Sequence, residues 1–347
     1  MVPFVPPTAT TPEYALVVFD AQGRELAEAD GSVLSETVAE RIAAENVTDV
    51  VLLCHGWLND FSGAQVTYAA WLAAGRGLEW PGGAAPLIVA AHWPSIPGRG
   101  GEPPDVPAEL HAHLADRTLL TALENAGTDV AEFLSFWSMR ERAISLGATD
   151  AGLGRLLARI FAARPGVRVH LAGHSLGCVA LSAALASAGA ARGPHAATFF
   201  LAQAAESSWA FSASVPFFTG GGGRYRAVVA DGLVDGALVA TTSTHDLALN
   251  VLYRLGMEFI LQRSYAAEAS AAGRPARAAA IGADGLGFDP PVPTAHKLPP
   301  LRPGAAQFAL AAGAQYTVDA SAVIADHNDV AHAELARLFL AAVAAVP

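Results

Sequence analysis

The chain has 347 residues, 52 % of them hydrophobic and 15 % charged, with a formal net charge of −11 at pH 7. That is enough apolar material for a large core, in either one α/β domain or two domains. The acidic balance argues against nucleic acid and anionic membrane surfaces as partners and suits neutral or weakly charged small molecules.

Met1 to Pro12 is rich in Pro and Thr. It lacks a basic stretch followed by an apolar one, so no signal peptide is expected and the reading is cytoplasmic; a mature secreted chain would look the same. No integral membrane segment is expected, because Arg, Asp, Gly and Pro interrupt the Ala-rich stretches. Tyr14–Asp20 reads as a strand and Val33–Glu45 as an amphipathic helix. Asp49–Cys54 is a continuous apolar run, as befits a parallel strand covered on both faces. Phe61–Ala74 reads as a helix and Leu87–His92 as a strand. Pro94–Pro107 is a Pro/Gly loop, followed by helical patterns at Ala108–Leu146 and Ala151–Ala163. Residues 94–165 therefore read as a helical insertion flanking or covering a site.

Val167–Leu171 is the next strand, followed by a small-residue helix over Leu176–Ala188 with Gly189 as its stop signal. Ala196–Ala202 and Ala237–Thr242 read as strands. Residues 267–303 are rich in Ala, Pro and Gly without periodicity, and read as an insertion on the surface. Gln315–Asp319 is the last strand and Asp329–Val346 the closing helix. This alternation predicts a single α/β domain over 1–347: a mostly parallel central sheet with helices on both faces, plus the two insertions. The two cysteines, Cys54 and Cys178, are too few for a disulfide framework. Both read as buried thiols, with a lowered thiol pKa at a helix N-terminus as the alternative for Cys178.

The most informative stretch is Val167 to Cys178, Val-Arg-Val-His-Leu-Ala-Gly-His-Ser-Leu-Gly-Cys. A strand, a tight turn with glycines flanking a serine, and a helix make a nucleophile elbow. The bare pattern could arise by chance in a chain with 33 glycines; its place between strand and helix gives it meaning. A serine hydroxyl needs a base to take its proton, and the base needs a partner to hold its tautomer. In an elbow arrangement the acid and then the histidine follow the serine in the chain, each near the C-terminal end of a strand.

Chain order removes His55, His92, His111, His113 and His170 as bases. His174 adjoins the serine, points away from it and is expected to pack or hydrogen-bond locally. His195 precedes the better acids, His245 sits beside the best of them, and His296 lies in the second insertion. His327 and His332 remain. His327 ends a loop after the last strand, whereas His332 falls one turn inside the closing helix, so His327 is the expected base. Asp246, after the strand Ala237–Thr242, is the expected acid. Asp231 and Asp235 precede glycines and read as turn residues. Glu206, after Ala196–Ala202, is the runner-up. The oxyanion donors should be the backbone N–H of Leu176, next after the serine, and that of Trp57 in the loop His55-Gly56-Trp57-Leu58-Asn59-Asp60.

With these residues in view, the chain resembles the α/β-hydrolase superfamily, on its lipase and esterase side. The resemblance runs from about Asp49 to the C-terminus and rests on His55-Gly56-Trp57, Gly173-His174-Ser175-Leu176-Gly177, Asp246 and His327. It implies the α/β-hydrolase fold and hydrolysis of carboxylic esters through an acyl-serine intermediate, with neither cofactor nor metal. A serine in the elbow argues against the branches that use an aspartate there. Trp209, Phe211, Phe217 and Phe218, together with His55, are candidates for an acyl pocket that would favour small-molecule or lipid-like esters with hydrophobic acyl or aryl groups; the same rings could instead cover the core. A thioesterase, an acyltransferase or a serine peptidase would share the same machinery, and a non-catalytic binding protein on the same fold is the reading from a different class.

Overall fold

The computed structural model describes residues 4–83, 85–97, 120–121, 123–124, 130–148, 150–189, 195–215, 221–257, 278–304 and 308–347. Eight strands are present among the described residues: β1 (Ala15–Val18), β2 (Asp49–Cys54), β3 (Leu87–His92), β4 (Arg168–His174), β5 (Thr198–Ala202), β6 (Leu238–Thr242), β7 (Ala295–Leu298) and β8 (Gln315–Asp319). They form one all-parallel sheet in the order β1-β3-β2-β4-β5-β6-β8-β7. The protein is therefore of the α/β class. The described helices are α1 (Leu34–Ala44), α2 (Phe61–Ala74), α3 (Val130–Ala148), α4 (Leu153–Ala163), α5 (Leu176–Gly189), α6 (Ala227–Ala230), α7 (Ile281–Asp284) and α8 (Ala333–Ala344). A turn of π-helix spans Ala248–Tyr253. No helix among the described residues is long and apolar enough to cross a membrane.

The inner strands β2, β3, β5 and β6 are buried along their whole length, which is why they read as unbroken apolar runs. Alternation sends their side chains to two separate cores. Val50, Leu52 and Cys54 of β2 join the core that holds α5, while Val51 and Leu53 join the one that holds Ala64 and Tyr68 of α2. On the α5 side, α1, α3 and α4 complete the layer. Gly147 of α3 permits a close crossing there: a methyl group on it would stand 2.2 Å from the Ala180 carbonyl of α5. The described part of the 94–165 stretch, α3 and α4, thus lies in this helical layer. α8 packs on the other face, against Phe200, Ala202 and Val239.

Three expectations need correction. The stretch 267–303 is not only a surface excursion. Its described part carries the edge strand β7 and α7, and Ala278, Ala280 and Ile281 are fully buried. β7 left no signal because it is four residues of edge strand with an exposed His-Lys pair at its centre. The closing helix begins at Ala333, so His332 is its N-cap rather than a residue one turn inside it. Strand β4 also runs past Leu171, through Gly173 to His174.

The bottom of β2 and β4 is stitched by Asp49, which is 2 % exposed. Its Oδ1 accepts from Arg168 Nε (2.8 Å) and His170 Nε2 (3.0 Å), and its Oδ2 from Arg168 Nη2 (2.7 Å) and Thr48 Oγ1 (2.7 Å). Burial pushes the carboxyl pKa up, but these donors outweigh it and hold it below the ordinary 3.8. A depressed carboxyl pKa stabilises the fold above the ordinary value, and that contribution is lost as pH falls below it. Asp49→Asn should therefore cost about 2 kcal/mol at pH 7, by leaving buried donors unmatched. Urea unfolding at pH 7 and pH 3 should show the wild type losing this advantage over the variant.

Candidate active site

The strand order reverses between β2 and β4, since β2 is followed by β3 on one side and β4 by β5 on the other. Loops leaving the carboxyl ends of two such strands part to opposite faces and leave a crevice between them. Both motif segments sit there. Ser175 stands between β4 and α5 with φ of +54°, a left-handed conformation that costs a non-glycine residue energy. The neighbours of the turn must be small. A methyl group on Gly177 would lie 2.2 Å from the Cys54 carbonyl, and one on Gly56 would lie 2.8 Å from Ser175 Cβ.

Three expected residues, distant in sequence, come together here. Ser175 Oγ lies 2.8 Å from His327 Nε2, and His327 Nδ1 lies 2.7 Å from Asp246 Oδ2. With the carboxylate ionised, Nδ1–H donates to Asp246 and Nε2 accepts from the serine hydroxyl. Asp246 is fully buried after β6. Burial raises its pKa, but His327, the Leu249 N–H (2.9 Å, to Oδ1) and Gln203 Nε2 (2.9 Å, to Oδ2) hold it below the ordinary range. The Leu249 N–H comes from the π-helical turn, whose start caps the carboxylate.

Gln203 is a residue the sequence reading missed. It follows β5 with φ of +44°, donates to Asp246 and to the Gly282 carbonyl, and accepts from Thr241 Oγ1. Its only signal was a lone amide between apolar β5 and Ala204-Ala205. Glu206, the runner-up acid, is engaged elsewhere. Its Oε1 accepts from Arg140 Nη2 of α3 (2.7 Å) and from the Ser207 N–H.

The sequence leads to the expectation that His174 packs or hydrogen-bonds locally, but its bond is a distant one. Its Nε2–H donates across the site to the His327 backbone carbonyl at 2.7 Å, and the two rings lie 5.0 Å apart. Burial, reinforced by His327, drops its pKa to about 3, so it works as a neutral donor. His55, a candidate substrate contact in the sequence, is held inside the protein. It is fully buried, stacked on Trp93, with Nδ1–H donating to the Gly56 carbonyl at 2.8 Å. Its role is to shape the loop after β2, together with Tyr68, whose hydroxyl accepts the His55 N–H.

Leu176 opens α5 beside Ser175, and Trp57 follows Gly56, which touches Ser175. Among the described residues, neither the Trp57 N–H nor the Leu176 N–H donates to a protein acceptor. Phe211 belongs to the core, packed on Phe199 and Tyr225. Trp209 is half-buried against Gly287. Phe217 and Phe218 lie outside the described residues. Both cysteines are buried and unpaired, and burial pushes both thiols up, so Cys178 is not an activated thiol. The chain matches no known family model, no curated protein and no solved structure. The geometry of the crevice therefore carries the functional reading alone.

Burial keeps His55 and His174 neutral down to about pH 3 and His92 down to about pH 4 in the folded state. The unfolded chain takes up those protons near pH 6.5. Stability is thus full above about pH 6.5 and falls as the pH drops toward 4, by up to about 1.4 kcal/mol per pH unit for each ring. Urea midpoints measured from pH 7.5 to 4.5 should fall steadily, and less steeply in His174→Gln.

Proposed function

We propose that the protein is a serine carboxylic-ester hydrolase of the α/β-hydrolase fold, working through an acyl-serine intermediate. The observation that carries this is the continuous Ser175–His327–Asp246 hydrogen-bond chain at the sheet's switch point, built on a serine with positive φ. Such a chain solves the chemical problem of a weakly nucleophilic hydroxyl.

In the proposed reaction, Ser175 Oγ attacks the ester carbonyl carbon while His327 Nε2 takes its proton. Asp246 holds the resulting imidazolium through Nδ1–H. The oxyanion is received by the Trp57 and Leu176 N–H groups, which have no competing protein acceptor among the described residues. His327 then hands its proton to the departing alkoxide, leaving the acyl-serine. Water, deprotonated by the same nitrogen, attacks that ester; the bond to Ser175 Oγ breaks, the proton on Nε2 returns to Oγ, and the acid is released. Protein groups alone supply this chemistry. His174 serves it as a positioning residue, because it fixes the main chain of the base.

The activity is tested with p-nitrophenyl acyl esters and a fluorophosphonate probe. Ser175→Ala should lower turnover by at least about 10⁴-fold and abolish labelling, with the circular dichroism unchanged. Labelling that persists at another residue would sink the assignment. Thioester and peptide substrates in the same assay separate the alternative acyl transfers. His174→Phe keeps the ring but removes the donor, and should lower kcat by about 10²-fold with little change in KM. His174→Gln should recover at least about tenfold of that loss; steady-state kinetics of both variants check it.

A further inference from the structure

The face of the sheet under α2 and α8 holds a cavity of about 680 Å³, within the range of small-molecule sites. Its floor is the sheet itself, with Leu53, Ala172 and Phe200 pointing in, and Trp71 of α2 and Phe339 of α8 form its walls. The two helices meet over it where Gly75 faces Ala336. Its inner end is lined by Gly173, Ala202, Val330 and His332, at the carboxyl edge of the strands. Its outer end is lined by Pro86, Gly83 and the segment Thr8–Pro12, at the amino edge. Strand register sets the length: Leu87 pairs with Val50, Cys54 with Gly173, and His174 with Ala202. Pro86 to the level of Ala202 is thus six residue steps, or about 20 Å at the usual rise of a strand.

None of Ser175, His327 and Asp246 lines this space. It is long and apolar. Arg76 is the one Arg or Lys among the described residues that line it; its guanidinium is exposed at the outer end and makes no ion pair among the described residues. An apolar cavity about 20 Å long with a cation at its mouth suits an amphiphile with an apolar chain and an anionic head. We propose that it is a binding site for a long-chain fatty carboxylate, separate from the reaction centre, with the hydrocarbon along the sheet and the carboxylate at Arg76.

Isothermal titration with octanoate, decanoate, dodecanoate and palmitate, each below its micelle threshold, tests this on the full chain. Affinity should rise by about fourfold for each added methylene until the cavity is filled. Arg76→Ala should weaken dodecanoate by about fivefold while leaving dodecanol unchanged. Ala336→Trp and Ala74→Phe fill the space from its two helices, and each should weaken dodecanoate by at least tenfold; thermal melting shows which variants are folded. Ser175→Ala should bind dodecanoate as the wild type does, so that failure of the hydrolase reading and failure of this site are told apart. Affinity independent of chain length, undiminished by both filling variants, or lost in Ser175→Ala would overturn the proposal. So would equal binding of a naphthalene sulfonate dye and dodecanoate, since the cavity would then be an unselective apolar void.

Discussion

The approach of the loop after β2 to the turn after β4 is the constraint on which the rest of the molecule depends. The two strands are neighbours, yet their chains leave for opposite faces of the sheet. Nothing but backbone fits between them. Gly56 touches the Cβ of Ser175, and Gly177 touches the carbonyls of Cys54 and His55. The helix α5 must then be made of small residues near its start, and α3 must carry a glycine to lie close behind it. A strained serine held by contacts on both sides keeps its direction toward His327, to which its hydroxyl is bonded.

Charge is handled with similar restraint. Around Asp246 the neighbouring rings are kept neutral by burial, and His174 and His55 act only through a single N–H each. A buried carboxylate surrounded by donors and uncharged rings keeps its negative charge available to one partner, the ring of His327. Glu206, equally buried, is neutralised by Arg140 of α3 and does not compete for that ring. The pairing of each carboxylate with its own cationic or ring partner is what separates the two acids, and their distances from the strand ends did not reveal it.

Much of this was legible beforehand. Asp49–Cys54 is read from its continuous apolar run, and the limits of Asp49–Cys54, Leu87–His92 and Gln315–Asp319 coincide with the structure. Ser175, Asp246 and His327 were singled out by chain order and strand ends, and they are the residues brought within hydrogen-bond reach. What was hidden depends on partners remote in sequence. The His327 carbonyl that receives His174 is 153 positions away, and Gln203 reaches Asp246 across 43. Phe211 and His55 read as site candidates from their places after the strands Ala196–Ala202 and Asp49–Cys54; only the structure shows that both are buried. β7 was invisible because an edge strand needs no apolar pattern when its neighbour supplies the register.

The bond from His174 has a consequence for how such a protein can change over time. It ends on a main-chain carbonyl, an atom that every amino acid possesses. That tie does not depend on which side chain stands at position 327. An exchange there would keep the loop's main-chain bond to His174 while giving up the ring's bonds to Ser175 and Asp246.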